Sequence, residues 1–299
     1  MRLVPQARRI GRGALLALAL MVMLAGCRSA EKRSGAPAPA GPPPEYGKIV
    51  RVHNERAARL AKLWARGSAV ITWIEEDGTK RVEQGEGHFQ VVQPSNVALS
   101  IGKLGEVLFW LGCDDQLAWA IWTRDDKRAM VGPHSANTRA RLAEVGIAAS
   151  PRDLIRLAGL APLPESHAGT APARAPDGTI RFDIDLGPAE GAWRYWLAPD
   201  SLLAKRIALL DSPLGAEIVT SSLDVYLPVT LRREGGFFPT APSRLRIRHE
   251  PSGSSASLTL ESMNDGGGPR LAPANFVLAS LLDAYNVSRI IELHSPEGQ

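Results

Sequence analysis

Six histidines, two cysteines and a scatter of carboxylates are the side chains of this 299-residue chain with the chemistry to hold a metal or attack a substrate. His53, His88, His134, His167, His249 and His294 lie far apart, with no HExxH, no HxH and no cysteine at ligand spacing. A metal centre is therefore not expected. The acids Glu75, Glu76 and Asp77, and the pair Asp114 and Asp115, fall at turn positions, where solvated carboxylates are ordinary. The chain also lacks GxSxG, SxxK, the phosphate-cradling GxxxxGK(S/T), and any GxGxxG between a strand and a helix. No enzyme is expected. Cys113 closes the apolar run Val107 to Gly112 and reads as a buried, inert thiol, whereas Cys27 follows three small or apolar residues near the N-terminus, a position suited to modification rather than packing.

The elements around Cys27 explain that position. Arg2, Arg8, Arg9 and Arg12 precede the apolar run Ala14 to Met23, the order of a basic segment and an apolar core in an export signal. The run is about half the roughly 20 residues needed to cross a bilayer core. Leu24-Ala25-Gly26-Cys27 then resembles the lipobox of bacterial lipoproteins. The resemblance implies a lipoprotein signal peptide over residues 1–26, cleavage before Cys27, and acylation of its thiol. Two or three acyl chains, at about 0.8 kcal/mol per buried methylene, would tether the chain durably. The expected location is the cell envelope, lipid-anchored and facing the periplasm. Arg28, where an aspartate would favour the inner membrane, points to the outer one. No cofactor is expected beyond the covalent lipid on Cys27.

The formal charge of +4 invites a nucleic-acid reading, but the four signal-segment arginines supply the whole excess. Residues 27–299 carry 31 basic and 31 acidic groups, the 35 Lys and Arg less those four against 31 Asp and Glu. Nucleic acid is thus not an expected partner. With Cys27 acylated, Cys113 has no cysteine to pair with in a compartment that permits disulfides. Residues 27–45 contain Ala36 to Pro44, a Pro- and Ala-rich stretch that favours extended polyproline conformation. This lipidated linker would hold the folded part up to roughly 50 Å from the membrane.

From Glu45 to Arg66, Ile49, Val52, Ala57, Leu60, Leu63 and Trp64 recur at three- and four-residue spacings and predict an amphipathic helix. Six strands are expected next, over Ser68 to Glu75, Arg81 to Val92, Asn96 to Ile101, Glu106 to Leu111, Gln116 to Trp122 and Arg128 to Val131. Their short joints imply an antiparallel meander. Ser150-Pro151-Arg152-Asp153 opens a second helix, and residues 161 to 177 read as a long loop. Six further strands follow, over Thr179 to Leu186, Trp193 to Ala198, Ala204 to Leu210, Glu217 to Tyr226, Ser243 to Glu250 and Ala256 to Ser262. Gly266-Gly267-Gly268 is a loop, Asn275 to Tyr285 a short helix and Ser288 to Leu293 a closing strand. No linker-like composition divides residues 46–299, so a single domain is expected.

This order, with Leu60 to Val70 leading from helix into strand and Gln93-Pro94-Ser95-Asn96-Val97-Ala98-Leu99-Ser100 followed by Val107 to Gly112, resembles the LolA and LolB superfamily of periplasmic lipoprotein carriers and receptors. The resemblance spans most of residues 46–293. It implies an α+β, mainly β fold: one large curved antiparallel sheet, a half-open β-barrel, with a few helices covering its concave face and acyl chains received there.

Trp73, Phe89, Phe109, Trp110, Trp119 and Trp122 concentrate in the first half and are the candidate lipid-binding residues. Strand parity puts apolar groups on both faces of these strands, whereas a sheet with one solvent side alternates cleanly. Either a helix packs on one face beside an open apolar groove, or an ordinary core has some buried outer positions. The leading function is a membrane-anchored, non-enzymatic protein binding lipid or lipoprotein acyl chains in a concave cavity, as a monomer. The alternative is a structural or assembly lipoprotein that binds another envelope protein through a sheet edge or surface patch.

Overall fold

The computed structural model describes residues 41–293 except 76, 125, 167, 233–237 and 267. Cys27, the signal segment and most of the linker lie outside the described residues, as do Glu76, His167, Gly267 and His294. The first described elements are helix α1 (Tyr46–Arg59) and six strands, β1 (Lys62–Ile74), β2 (Lys80–Val92), β3 (Asn96–Lys103), β4 (Glu106–Cys113), β5 (Leu117–Trp122) and β6 (Arg128–Pro133). Two helices follow, α2 (Ala136–Glu144) and α3 (Pro151–Leu157), then the two-residue strands β7 (Ala168–Gly169) and β8 (Ala173–Arg174). The second strand series is β9 (Ile180–Asp185), β10 (Ala192–Leu197), β11 (Ala204–Leu210), β12 (Glu217–Pro228), β13 (Thr240–His249) and β14 (Ser255–Asn264). Two 3-10 turns (Gly268–Leu271 and Pro273–Phe276), helix α4 (Leu278–Tyr285) and strand β15 (Arg289–Glu292) complete it.

All fifteen strands join one unclosed sheet. Its order is β15-β6-β5-β4-β3-β2-β1-β14-β13-β12-β11-β10-β9-β7, with β8 beside β9. Every pairing is antiparallel except β15 with β6. The meander β1 to β6 runs outward from β1 in one direction, and β14 back to β9 runs outward in the other, because β1 pairs with β2 on one side and β14 on the other. Gly67 and Gly87 face each other across β1 and β2. A Cβ on Gly67 would strike the Thr259 carbonyl and one on Gly87 the Ser100 carbonyl, so side-chain-free residues let neighbouring strands approach closely here. This unclosed sheet is the architecture that the sequence resemblance implied; α1, α2 and α3 pack into its main core, whereas α4 lies on the opposite face, where the resemblance implied no helix.

Helix α1 ends seven residues before the expected Arg66, and Lys62 to Arg66 form the start of β1. The three- and four-residue spacing of Leu60, Leu63 and Trp64 suits a helix, but Leu63 and Ala65 are the buried pair, two apart as in a strand. The pairing of Lys62 to Arg66 with Val92 to His88 decides it. The Gln93 amide donates to the Ala57 and Leu60 carbonyls at 3.3 and 3.2 Å, capping the helix where it stops. Helix α2 has no counterpart among the expected elements. Its start is set by Ser135, whose hydroxyl accepts from the Thr138 amide at 3.1 Å. The loop expected over 161 to 177 carries the short strands β7 and β8, both paired with β9.

After β6 at one end of the sheet, the chain must reach β9 near the other end, and residues 134–179 make that crossing. α3 buries Leu154, Ile155 and Leu157 and packs against β3, β4, β5 and β11. Beyond it the backbone of residues 159–164 has no strand partner, and side chains of α1 satisfy it. Arg56 donates to the Gly159 carbonyl at 2.7 Å, His53 Nε2 lies 2.8 Å from the Ala161 carbonyl, and Tyr46 donates to that of Pro164 at 2.9 Å. Asn54 both donates to the Leu163 carbonyl and accepts from its amide, each at 2.8 Å. Gln93 donates to the Leu160 carbonyl at 2.9 Å.

Burial holds His53 neutral: desolvation first, then the nearby Arg56 guanidinium, push its pKa from 6.5 down to about 4, against the Ala161 hydrogen bond. An unfolded chain would take up that proton below pH 6.5 while the folded one would not. The group's contribution is therefore present above pH 6.5 and is lost as pH falls toward about 4, with a slope of up to about 1.4 kcal/mol per pH unit. Urea unfolding across this range should show stability falling with pH, and His53→Gln should flatten that slope. An unchanged slope in the variant would assign the pH dependence elsewhere.

Candidate functional site

The concave face and the crossing chain enclose a cavity of about 460 Å³. Strands β1, β3 and β4 supply its floor through Ile71, Leu99, Ile101, Phe109 and Leu111, and β13 and β14 its far wall through Ile247 and Leu258. The roof is the link from α2 to α3, Val145 to Ala149, together with Leu154 of α3. A β-bulge in β4 widens the floor. Ile101 stands opposite Phe109 but Gly102 opposite Val107, leaving Leu108 as an extra residue. Leu108 and Phe109 consequently both line the cavity, although strict alternation would turn one of them away.

Polar groups are confined to one part of the lining: Glu83, Gln84, Lys103 and Arg124, beside Trp73 and Trp122. Lys103 Nζ sits 3.0 Å from Glu83 Oε2, an exposed pair. Trp122 meets Phe109 edge-on, with ring centroids 5.4 Å apart, and carries the Arg128 guanidinium 4.7 Å above its ring. Trp73 contacts the roof at Gly146. A Cβ there would lie 2.7 Å from Trp73 Cβ and 2.9 Å from its Cγ, and the backbone has φ +85°.

Of the six aromatic candidates, Trp73, Phe109 and Trp122 line this cavity. Phe89 is buried in the same core, opposite Ala65 and Leu99. Trp110 and Trp119 belong to a separate cluster on the opposite face, covered by Phe276 and Leu281, with Tyr285 6.1 Å from Trp110. The two readings of the non-alternating strands both apply. One face of β3 to β5 carries the cavity, and the 3-10 turns and α4 bury the other. The roof, the far wall and Arg124 were not among the expected site residues. Ile147-Ala148-Ala149 was the available signal, an apolar run just before the predicted second helix.

A second pocket of about 320 Å³ lies beside α2 and α3 and is lined by charges that pair among themselves. Arg139 Nε is 2.8 Å from Asp153, and Arg152 and Arg156 approach Glu190 at 3.6 and 3.4 Å. This network braces the two helices against the turn before β10. Cys113 is fully buried, with Sγ 3.0 Å from the Ser95 carbonyl, and burial pushes its thiol pKa up. Among the described residues no group of three His, Cys, Asp or Glu side chains could hold a metal ion, and no helix is long and apolar enough to cross a membrane.

No protein-family model and no curated sequence matches this chain. In structure it is similar to a DUF1329 family protein from Desulfovibrio piger, at 12% identity and a TM-score of 0.45, over 78% of this chain and 98% of that one. It is similar to a LolA superfamily protein from Nitrosomonas europaea, at 11% identity and a TM-score of 0.44, over 74% and 93% of the two chains. A third likeness is to an outer membrane lipoprotein-sorting protein domain from Vibrio parahaemolyticus, at 12% identity and a TM-score of 0.47, over 72% and 91%.

The contact between roof and rim is open to a direct test. Gly146→Ala places a methyl group against Trp73 and forces an L-residue into the left-handed region. A loss of about 2 kcal/mol is expected, read as a lower urea midpoint, with Gly159→Ala, whose Cβ would meet only ordinary contacts, losing less.

Proposed function

We propose that this chain is a lipid-anchored protein of the bacterial cell envelope that binds an apolar ligand, a lipid or the acyl chains of a lipoprotein, in the cavity under the α2 to α3 link. The observation that carries the reading is the lining: a space of about 460 Å³ surrounded chiefly by Ile, Leu, Phe, Trp and Ala, within the range of about 300–1,000 Å³ usual for small-ligand sites. Each methylene moved there from water contributes about 0.8 kcal/mol, offset by the freedom lost on association. Chain length should accordingly set affinity until the space is full.

The lining contains no serine, histidine, cysteine or aspartate among the described residues, and its single acid is paired with Lys103. It offers apolar contact without a nucleophile and base, which favours binding over catalysis. In this proposal acyl groups on Cys27 anchor the chain to a membrane, the outer one by the residue at 28, and the Pro- and Ala-rich linker sets how far the cavity reaches toward its ligand. The sheet edges favour this reading over strand addition by a protein partner. β7 has two residues and β15 four, so each leaves a short ladder to extend.

Native mass spectrometry of the full chain carrying Cys27→Ser, which removes the thiol that would be acylated, tests the proposal. Copurified or added acyl lipid should appear as bound mass. Phe109→Glu, which charges the floor, and Ala148→Phe, which fills the space without a charge, should each reduce bound lipid at least tenfold. A ligand-free mass that takes up no fatty acid would overturn the proposal.

A further inference from the structure

The charges of this lining are few and unevenly matched. Its ionisable members are Glu83, Lys103 and Arg124, giving one positive charge in excess. Lys103 and Glu83 hold each other at 3.0 Å. Among the described residues no carboxylate pairs with the exposed Arg124, and Asp126, two positions along, is engaged by Arg128 at 3.5 Å. Gln84, exposed in the same lining, adds an amide donor. The remainder of the cavity is almost wholly apolar, so a head group with charge is excluded from the floor and accommodated only beside these residues.

Resting on the acyl-binding reading above, we propose that the cavity takes an amphiphile with an anionic head, a carboxylate or a phosphate, which Arg124 holds while the acyl chain lies over the floor. A guanidinium presents its donors in a planar fork that matches either anion bidentately. Beside an apolar wall such a pair interacts more strongly than in open water. The selectivity is therefore for charge at the head and for length in the tail, and a neutral lipid of equal length binds through its chain alone.

The test compares three competitors of matched chain, palmitic acid, hexadecyl phosphate and hexadecanol, displacing a fluorescent fatty acid from the full chain carrying Cys27→Ser. The two anions should bind roughly tenfold more tightly than the alcohol, the low end for a charge-assisted pair at an exposed site. Arg124→Ala should remove that preference, and an unchanged urea unfolding midpoint shows the variant to be folded. Arg124→Glu should reverse it. A difference between the acid and the phosphate identifies which head the site prefers. Equal binding of all three, unaffected by Arg124→Ala, would overturn the head-group assignment and leave the apolar cavity standing. Failure of every competitor to displace the probe, or of the probe to bind, would overturn both.

Discussion

The hydrogen bonds from α1 and Gln93 to the backbone of residues 159–164 are the constraint on which the cavity depends. An irregular segment that crosses a concave sheet face leaves its carbonyls and amides without a ladder, and buried unpaired groups of that kind are costly. Asn54 answers this with two bonds to Leu163, and Arg56, His53, Tyr46 and Gln93 each provide another. Because Gln93 also caps α1, the end of that helix, the β2 to β3 turn and the crossing segment are tied at one point. With the crossing fastened there, α3 can press Leu154 and Leu157 into the core, and the link before it stands over the sheet as a roof.

The second condition is the pairing of β1 with β14, which turns two meanders into one sheet. The halves are separated by the whole crossing segment, so this contact is highly non-local and bears a loop-closure cost that grows slowly with length. Burial returns it: a single apolar cluster runs from Leu63 and Val97 in the first half through Ile207 and Leu258 in the second. The cavity sits across this junction, with floor from β1, β3 and β4 and wall from β13 and β14. Neither half alone encloses it.

An unfilled apolar space works against stability. A well-packed interior has few voids larger than a water molecule, and an apolar space left empty forfeits dispersion contacts along its lining. The opposite face of the same strands shows what packing looks like when it is filled: Trp110 and Trp119 are covered by the C-terminal helix, and Asn275 donates to the buried Gln90 at 2.9 Å. The concave face instead keeps half-buried Trp73, Phe109 and Trp122 around an open volume. The tail helix fills the convex side of these strands, while the concave side carries the main core and leaves this one volume unfilled.

Local patterns were enough to read much of this from the sequence. Turn residues and alternation set the two strand series to within a few residues, apart from the start of β1, and Ser150-Pro151 marked the start of α3, because strand and cap signals act over short distances. The large curved antiparallel sheet followed from the short joints and from the resemblance carried by residues 60–70, 93–100 and 107–112. Where a helical spacing and a strand parity competed, at Lys62 to Arg66, the partner strand decided, and no local signal could. The aromatic candidates were half legible for the same reason. Parity separates Phe109 from Trp110, but which face is open depends on where the tail helix and the crossing chain settle. Ile247, Leu258 and Gly146 are distant in sequence from Trp73 and Phe109, and only closure of β14 onto β1 together with the crossing segment brings them around one space.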